Sequence, residues 1–168
     1  MHGVESGDIS GAEADLTRGC GAAAFPVRFP MIEFKLHPRL ADGSHGLGRL
    51  ADCQILLKDN ACFPWLLIVP EVADGVEDLH QLAPERYAEV MGAVRELSLF
   101  VSGYFKPDKL NVACIGNQVR QMHLHVVGRS EGDAAWPGTV WASTVKSLWE
   151  PGRVGEIREA ARRTLNLV

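Results

Sequence analysis

The residues best suited to chemistry are His123 and His125, which are preceded at the same spacing by Gln121. If this stretch forms a strand, alternate side chains point to opposite faces, and the three polar groups share one face. Imidazole is the side chain whose unperturbed pKa lies near neutrality. Two imidazoles on one face therefore suit nucleophilic attack, proton transfer or metal binding.

The spacing of the two histidines does not by itself choose among these chemistries. A polar strand face that happens to carry two histidines is as good an interpretation as a functional one. A zinc site needs a third ligand. The other candidates, His37, His45 and His80, lie in segments rich in loop-forming residues. The sequence therefore favours a catalytic pair over a metal site.

The five-residue loop 116–120 directly precedes the histidine row. Its candidate binding groups are Gly116, Asn117 and Gln118, with Arg120 as a nearby cation. Hydrogen-bond donors beside a nucleophile form a cradle for an anion. An imidazole could attack a phosphate held there and form a phosphoramidate that water then splits. Arg129 shares the predicted face of the histidines and is a further candidate, although a plain surface role is an equal alternative.

Hydrophobic patterns predict the elements that position the row. Strand patterns occur at 50–58, 65–69, 110–115 and 121–127, and 31–36 alternates as a short edge element before a loop. An apolar stripe after Pro84 indicates a long helix of about twenty residues on a sheet. Strands joined by short loops run antiparallel. The predicted fold class is therefore α+β, with an antiparallel sheet of about five strands, one long helix packed on it and a C-terminal helix.

The chain length of 168 residues predicts one domain with ragged ends. Residues 1–30 lack helical or strand periodicity and are interpreted as a disordered tail, with translation from Met31 as an alternative. Residues 31–130 form the predicted domain. Residues 131–168 begin with an aromatic, proline-stiffened segment and are expected to pack back on that domain.

Composition excludes several classes of function. Lys and Arg number 17 against 21 Asp and Glu, so a net charge of −4 without a basic cluster argues against a nucleic-acid binder. No long apolar run or signal-like segment indicates a membrane or export role. The four cysteines form no C-x-x-C pair and are interpreted as small hydrophobes. We therefore expect a cytoplasmic protein.

The segment from Gln121 to Val127 resembles the histidine triad (HIT) signature, in which three histidines alternate with hydrophobic residues. The order of predicted elements over 48–130 is similar to that of the same family. The resemblance implies a HIT-like fold, a homodimer and chemistry at the α-phosphate of a nucleotide. His123 matches the histidine that attacks phosphorus, and His125 matches the one that contacts the phosphates and assists the leaving group. Gln121 stands where the family has its first histidine, and an amide cannot titrate near neutrality.

The resemblance also implies binding residues. Asn117 matches a position near the phosphates, and Asp59 or Asn60 would contact the ribose, whereas it carries no role onto Trp65. The expected substrate is a purine nucleotide, either a nucleoside phosphoramidate or a dinucleoside polyphosphate. The covalent step requires no cofactor, and Mg²⁺ can accompany a polyphosphate. The alternative function is a nucleotide-binding or sensing module that has lost turnover with the first histidine.

Overall fold

The computed structural model describes residues 34–168. The predicted tail, the alternative start at Met31 and part of the first predicted edge element lie outside these residues. The strands are β1 (Ser44–Leu50), β2 (Cys53–Lys58), β3 (Trp65–Pro70), β4 (Lys109–Cys114) and β5 (Leu124–Arg129). The helices are α1 (Pro38–Asp42), α2 (Pro84–Phe105) and α3 (Pro151–Leu165), with short 3₁₀ turns at Leu79–Gln81 and Val140–Ala142.

The five strands form one antiparallel sheet in the order β1-β2-β3-β5-β4. The predicted α+β class is therefore confirmed, including the β2–β3 hairpin and the antiparallel pair of β4 and β5. Helix α2 begins at Pro84, where the missing proline N–H costs no hydrogen bond. It ends at Phe105, and the next residue, Lys106, takes a left-handed conformation (φ 52°) before Pro107.

The edge strand β1 lies after the predicted edge element, whose described residues 34–36 form no strand. The strand predicted over 50–58 is divided by a tight turn at Ala51 and Asp52, whose φ angles are 48° and 52°. Leu50 therefore closes β1, and β2 begins at Cys53. The segment of β1 contains two glycines and a bulge between Gly46 and Gly48. An edge strand like this pairs on one side only and lacks the apolar alternation that identifies a central strand.

The two faces of the sheet carry separate hydrophobic clusters. On one face, side chains such as Ile55, Ile68 and Leu124 pack against α2 and α3. On the other, Leu56, Leu67 and further residues form a smaller cluster with Leu40 of α1. Side chains alternate along β5, and those that face the helices belong to the larger core. His123 and His125 therefore lie on the second face of the sheet.

The C-terminal segment is tied to the sheet by hydrogen bonds. The backbone of Val168 pairs with Arg49 of β1, and Trp149 donates its indole N–H to the carbonyl of Lys58. Buried residues of α3, among them Ile157 and Ala161, belong to the larger core. Among the helices of residues 34–168, none has the length and apolarity needed to cross a bilayer.

Candidate active site

His123 and His125 lie on the same face of the sheet, as the alternation of β5 requires. Met122, Leu124 and Val126 point into the core beneath α2, and the histidines point to the opposite face. His125 sits between Leu67 of β3 and Ala113 of β4 in the strand register. The strand begins at Leu124 rather than at Gln121, so His123 lies just before its first residue. Both imidazoles are buried, with 6% and 7% of their surface exposed.

The backbone orients the ring of His123. Its Nδ1 lies 2.7 Å from the carbonyl oxygen of Gln121. Since a carbonyl only accepts, Nδ1 carries the proton and the lone pair of the neutral ring is on Nε2. Burial lowers the pKa of His123, and the charge of Lys58 lowers it further, although the bond to Gln121 opposes both. The ring is therefore held in a neutral form with a free nucleophilic nitrogen.

In the ring of His125, Nδ1 accepts a hydrogen bond instead of donating one. The indole N–H of Trp65 donates to its Nδ1 at 2.9 Å. Burial lowers the pKa of His125 to about 3, with the nearby His123 and Lys58 adding to the effect. The rings of His123 and His125 meet edge to face, with centroids 4.9 Å apart. The ring of Trp141 packs against the imidazole of His125, with ring centroids 5.6 Å apart.

The two histidines line a cavity of about 320 Å³. The other lining residues are Arg39, Leu40, Lys58, Trp65, Leu67, Ile115, Asn117, Gln118, Val119 and Trp141. This set contains two cations and no carboxylate. Burial lowers the pKa of Lys58, and the positive charges of Lys146 and Arg39 contribute. Such a cavity is electrostatically suited to an anion.

Loop 116–120 contributes only part of its predicted cradle. Asn117 and Gln118 line the cavity, and the Gln118 side-chain oxygen accepts a bond from Arg39 at 3.1 Å. Gly116 instead lines a neighbouring depression beside Glu77. Arg120 turns toward that depression and pairs with Glu77 at 2.9 Å, so it does not reach the histidines.

The side chain of Gln121 points away from the cavity. Its oxygen accepts from the backbone N–H of His37 at 2.8 Å, and its amide donates to the carbonyl of Lys35 at 2.9 Å. Gln121 therefore holds the segment that leads into α1. Gln121 meets His123 through its backbone carbonyl rather than through its side chain.

Asp59 and Asn60 also lie outside the cavity lining. Asp59 pairs with His45 at 3.0 Å and accepts from the backbone of Trp149. The buried side chain of Asn60 bonds the backbones of Cys62, Val145 and Ser147. Both residues thus attach the C-terminal segment, and neither is among the residues that line the cavity of the histidines.

Arg129 shares the histidine face but is used within the protein. Its guanidinium bonds both carboxylate oxygens of Asp133, at 2.7 and 2.9 Å, and also reaches Asn111 and the carbonyl of Gly138. It is 2% exposed and does not line the cavity. The guanidinium of Arg129 therefore forms a buried ion pair with Asp133.

A metal site is not found in the part of the chain that the structure describes. Within residues 34–168, no three His, Cys, Asp or Glu side chains are grouped to hold an ion. His45 is occupied by Asp59, and the backbone N–H of Arg39 donates to Nδ1 of His37. The zinc interpretation of the row lacks its third ligand among these residues.

Sequence reasoning missed Arg39, Lys58 and Trp65. Trp65 could have been found by strand parity, since it shares the odd-numbered face of β3 with Leu67, which lies opposite His125. Lys58 is the last residue of β2, and Arg39 lies in a helix of five residues. No pattern in the sequence places either of them beside β5.

Comparisons with known proteins identify the family of this chain. The HIT domain family matches residues 43–132, more than half of the chain. The protein belongs to the HIT family. This HIT protein resembles the solved structure of a histidine triad protein from Bradyrhizobium japonicum, with 32% identity, a TM-score of 0.75, and coverage of 79% of this chain and 98% of the other. No curated protein sequence matches the chain.

Two further solved histidine triad proteins are similar over the same share of the HIT protein. The one from Sinorhizobium meliloti is 30% identical with a TM-score of 0.76, covering 79% of this chain and 98% of the other. The one from Marinobacter aquaeolei is 34% identical with a TM-score of 0.75, covering 79% and 96%. The family and the HIT-like fold expected from the Gln121–Val127 signature are thus confirmed.

Proposed function

We propose that this HIT protein is a nucleotide hydrolase or nucleotidyl transferase that works through a covalent nucleotidyl-histidine on His123. The observation that carries the proposal is the 2.7 Å contact between Nδ1 of His123 and the carbonyl of Gln121. It leaves the Nε2 lone pair free for attack on an α-phosphorus. Family membership supports a nucleotide as the ligand.

The covalent step makes an N–P bond as the bond from phosphorus to the leaving group breaks. The leaving group departs with the electron pair, and the His123 ring becomes a positively charged phosphoimidazole. The Gln121 carbonyl stabilises that charge through the Nδ1 proton. Water then attacks phosphorus and releases one proton to solvent, the electron pair of the N–P bond returns to Nε2, and a nucleoside monophosphate is released. Another acceptor in place of water makes the same step a transfer.

The cavity supplies charge for the phosphates. Lys58 and Arg39 line it together with the amides of Asn117 and Gln118, and none of the described residues that line it carries a carboxylate. Cations and amide donors stabilise the negative oxygens of a phosphoryl group in attack. We infer that a purine nucleotide binds here, as a dinucleoside polyphosphate or a nucleoside phosphoramidate. Any Mg²⁺ would arrive with the phosphates of the substrate.

Three features remain parts of the proposal. We propose that a homodimer is the working form, that the protein acts in the cytoplasm and that residues 131–168 form an extension of the domain. The C-terminal helix α3 supports the last point, because its buried residues belong to the larger core.

A nucleotide-binding or sensing role is the second candidate. The side chain of Gln121 is bound to Lys35 and His37 and offers no titratable group to the cavity. A protein that keeps the anion cavity but releases product slowly would act as a sensor. The two candidates differ in turnover rather than in ligand.

The test uses diadenosine tetraphosphate and adenosine phosphoramidate with the full chain and with His123→Asn. The wild type is expected to release mononucleotide and to show an adduct after an alkaline quench, since a histidine phosphoramidate survives alkali. His80→Asn, which alters an exposed histidine outside the cavity, serves as the matched control and should leave turnover unchanged. Tight binding without release would favour the sensor. Turnover that survives His123→Asn would exclude the nucleophile.

A further inference from the structure

The contact between Trp65 and His125 restricts the chemistry of the second histidine. An indole N–H is only a donor, so the Nδ1 that receives it at 2.9 Å must hold a lone pair. A neutral imidazole has one N–H, and the proton of His125 is therefore on Nε2. The two histidines of the row are opposite tautomers, because His123 is protonated on Nδ1.

Packing holds the indole in this position. Trp65 is 8% exposed and meets Phe63 and Trp141 edge to face, at 6.5 and 6.1 Å. Trp141 also contacts the His125 ring. A buried bond in a low-dielectric setting is costly to break, because the indole N–H would lose its partner.

The surroundings of His125 disfavour a second proton. Its strand neighbours Leu67 and Ala113 are uncharged, and the charged or titratable groups that face it are His123, Lys58 of β2 and Arg39 of α1. None of these is an acid. Protonation at Nδ1 would also place two donors against each other at the Trp65 contact. These effects agree with the pKa of about 3 that burial and the neighbouring charges produce.

We propose that Trp65 is a positioning residue that keeps His125 as the neutral Nε2–H tautomer, so that His125 donates a hydrogen bond to a phosphoryl oxygen and transfers no proton to the leaving group. The part that concerns the phosphoryl oxygen rests on the proposed function. A neutral imidazole that gave up its only proton would become an imidazolate. The site therefore favours leaving groups that depart as anions, such as a nucleoside polyphosphate, over an amine that must be protonated.

The tautomer is measured by two-bond ¹H–¹⁵N correlation NMR on the ¹⁵N-labelled full chain, with the His125 signals assigned by their loss in His125→Gln. In the wild type, Nδ1 should appear pyridine-like and Nε2 pyrrole-like, and neither should titrate between pH 5 and pH 8. A proton on Nδ1, or a midpoint inside that range, overturns the proposal. Because the tautomer is read in the wild type, this measurement decides the matter even if Trp65→Phe does not fold.

Trp65→Phe keeps a ring but removes the N–H. We expect a mixed tautomer and a His125 pKa at least about one unit higher, since the bond to the neutral form is lost. Trp141→Phe alters the other indole that packs on His125 and should leave the tautomer pattern unchanged. A pattern that is unchanged in folded Trp65→Phe would count against the proposal.

A kinetic measurement separates this inference from the proposed function. The ratio of kcat/KM for diadenosine tetraphosphate to that for adenosine phosphoramidate should fall about tenfold in Trp65→Phe, the scale of one hydrogen bond. An unchanged ratio in an active enzyme contradicts the role assigned to His125. Absence of any turnover in the wild type refutes the proposed function, whereas the NMR pattern still reports on Trp65.

Discussion

The backbone carbonyl of Gln121 accepts the Nδ1 proton of His123 at 2.7 Å, and the side chain of Gln121 takes no part in that contact. Any residue at position 121 would present the same carbonyl. A glutamine can therefore replace the first histidine of the signature without disturbing the tautomer of His123. The amide side chain is free to bind the segment before α1.

Gln121→Ala should cost more in stability than in chemistry. It removes two hydrogen bonds, to His37 and Lys35, and should lower the free energy of unfolding by about 1–2 kcal/mol. We expect kcat/KM to fall less than about tenfold, because the carbonyl that orients His123 remains. Denaturant unfolding and initial rates measure the two effects.

Gln121→Glu is the matched control, since it keeps the acceptor for His37 and loses the donor to Lys35. Its stability should lie between the wild type and Gln121→Ala. Loss of the covalent adduct in Gln121→Ala, to the degree seen for His123→Asn, would show that the amide acts in the chemistry.

The charge of Lys58 should shift the acid limb of the pH–rate profile. Attack requires neutral His123, so activity falls as pH drops through the pKa of that ring. Burial is the larger and the charge of Lys58 the smaller of the two effects that lower this pKa from 6.5. The acid limb of the pH–rate profile should therefore lie below 6.5. Lys58→Met removes a positive charge that opposes protonation and should move the midpoint of kcat/KM up by about half a unit.

Lys109→Met is the control for that shift, because Lys109 is an exposed cation on the edge strand β4. Its midpoint should match the wild type. A downward shift in Lys58→Met, or an equal shift in both variants, would show that Lys58 does not act on His123.

The pair of Arg129 and Asp133 should make folding sensitive to acid. The bond from Arg129 lowers the pKa of Asp133 from 3.8 to about 2. A depressed folded-state pKa contributes stability that is complete above 3.8 and is lost as the pH falls toward about 2. Asp133→Asn leaves a buried cation without its partner and should cost about 3 kcal/mol at neutral pH.

Glu156→Gln provides the comparison, since Glu156 pairs with Arg153 on the exposed surface of α3. That change should cost less than about 0.5 kcal/mol. Urea unfolding between pH 2 and pH 7 measures both variants. If Asp133→Asn retained the wild-type acid dependence, the stabilising role of the pair would be refuted.

Local patterns predicted the elements that pack most strongly. The apolar run before Pro70 and the stripe after Pro84 identified β3 and α2, because buried strands and amphipathic helices each impose a periodicity on the sequence. The edge element was predicted at 31–36 rather than at Ser44–Leu50, because an edge strand with two glycines carries no such periodicity. The contacts of Asp59 and Asn60 could not be predicted locally, since their partners lie far away at Val145, Ser147 and Trp149.

The sequence by itself determined the family signature, the fold class and the shared face of His123 and His125, because these follow from alternation over neighbouring residues. Only the tertiary structure decided which side chains meet that face. The pairing of β3 with β5 brings Trp65 to His125 across 60 positions of the chain. The same packing turns Arg129 to Asp133 and Gln121 away from the cavity. Such choices depend on contacts between distant elements, which no local pattern records.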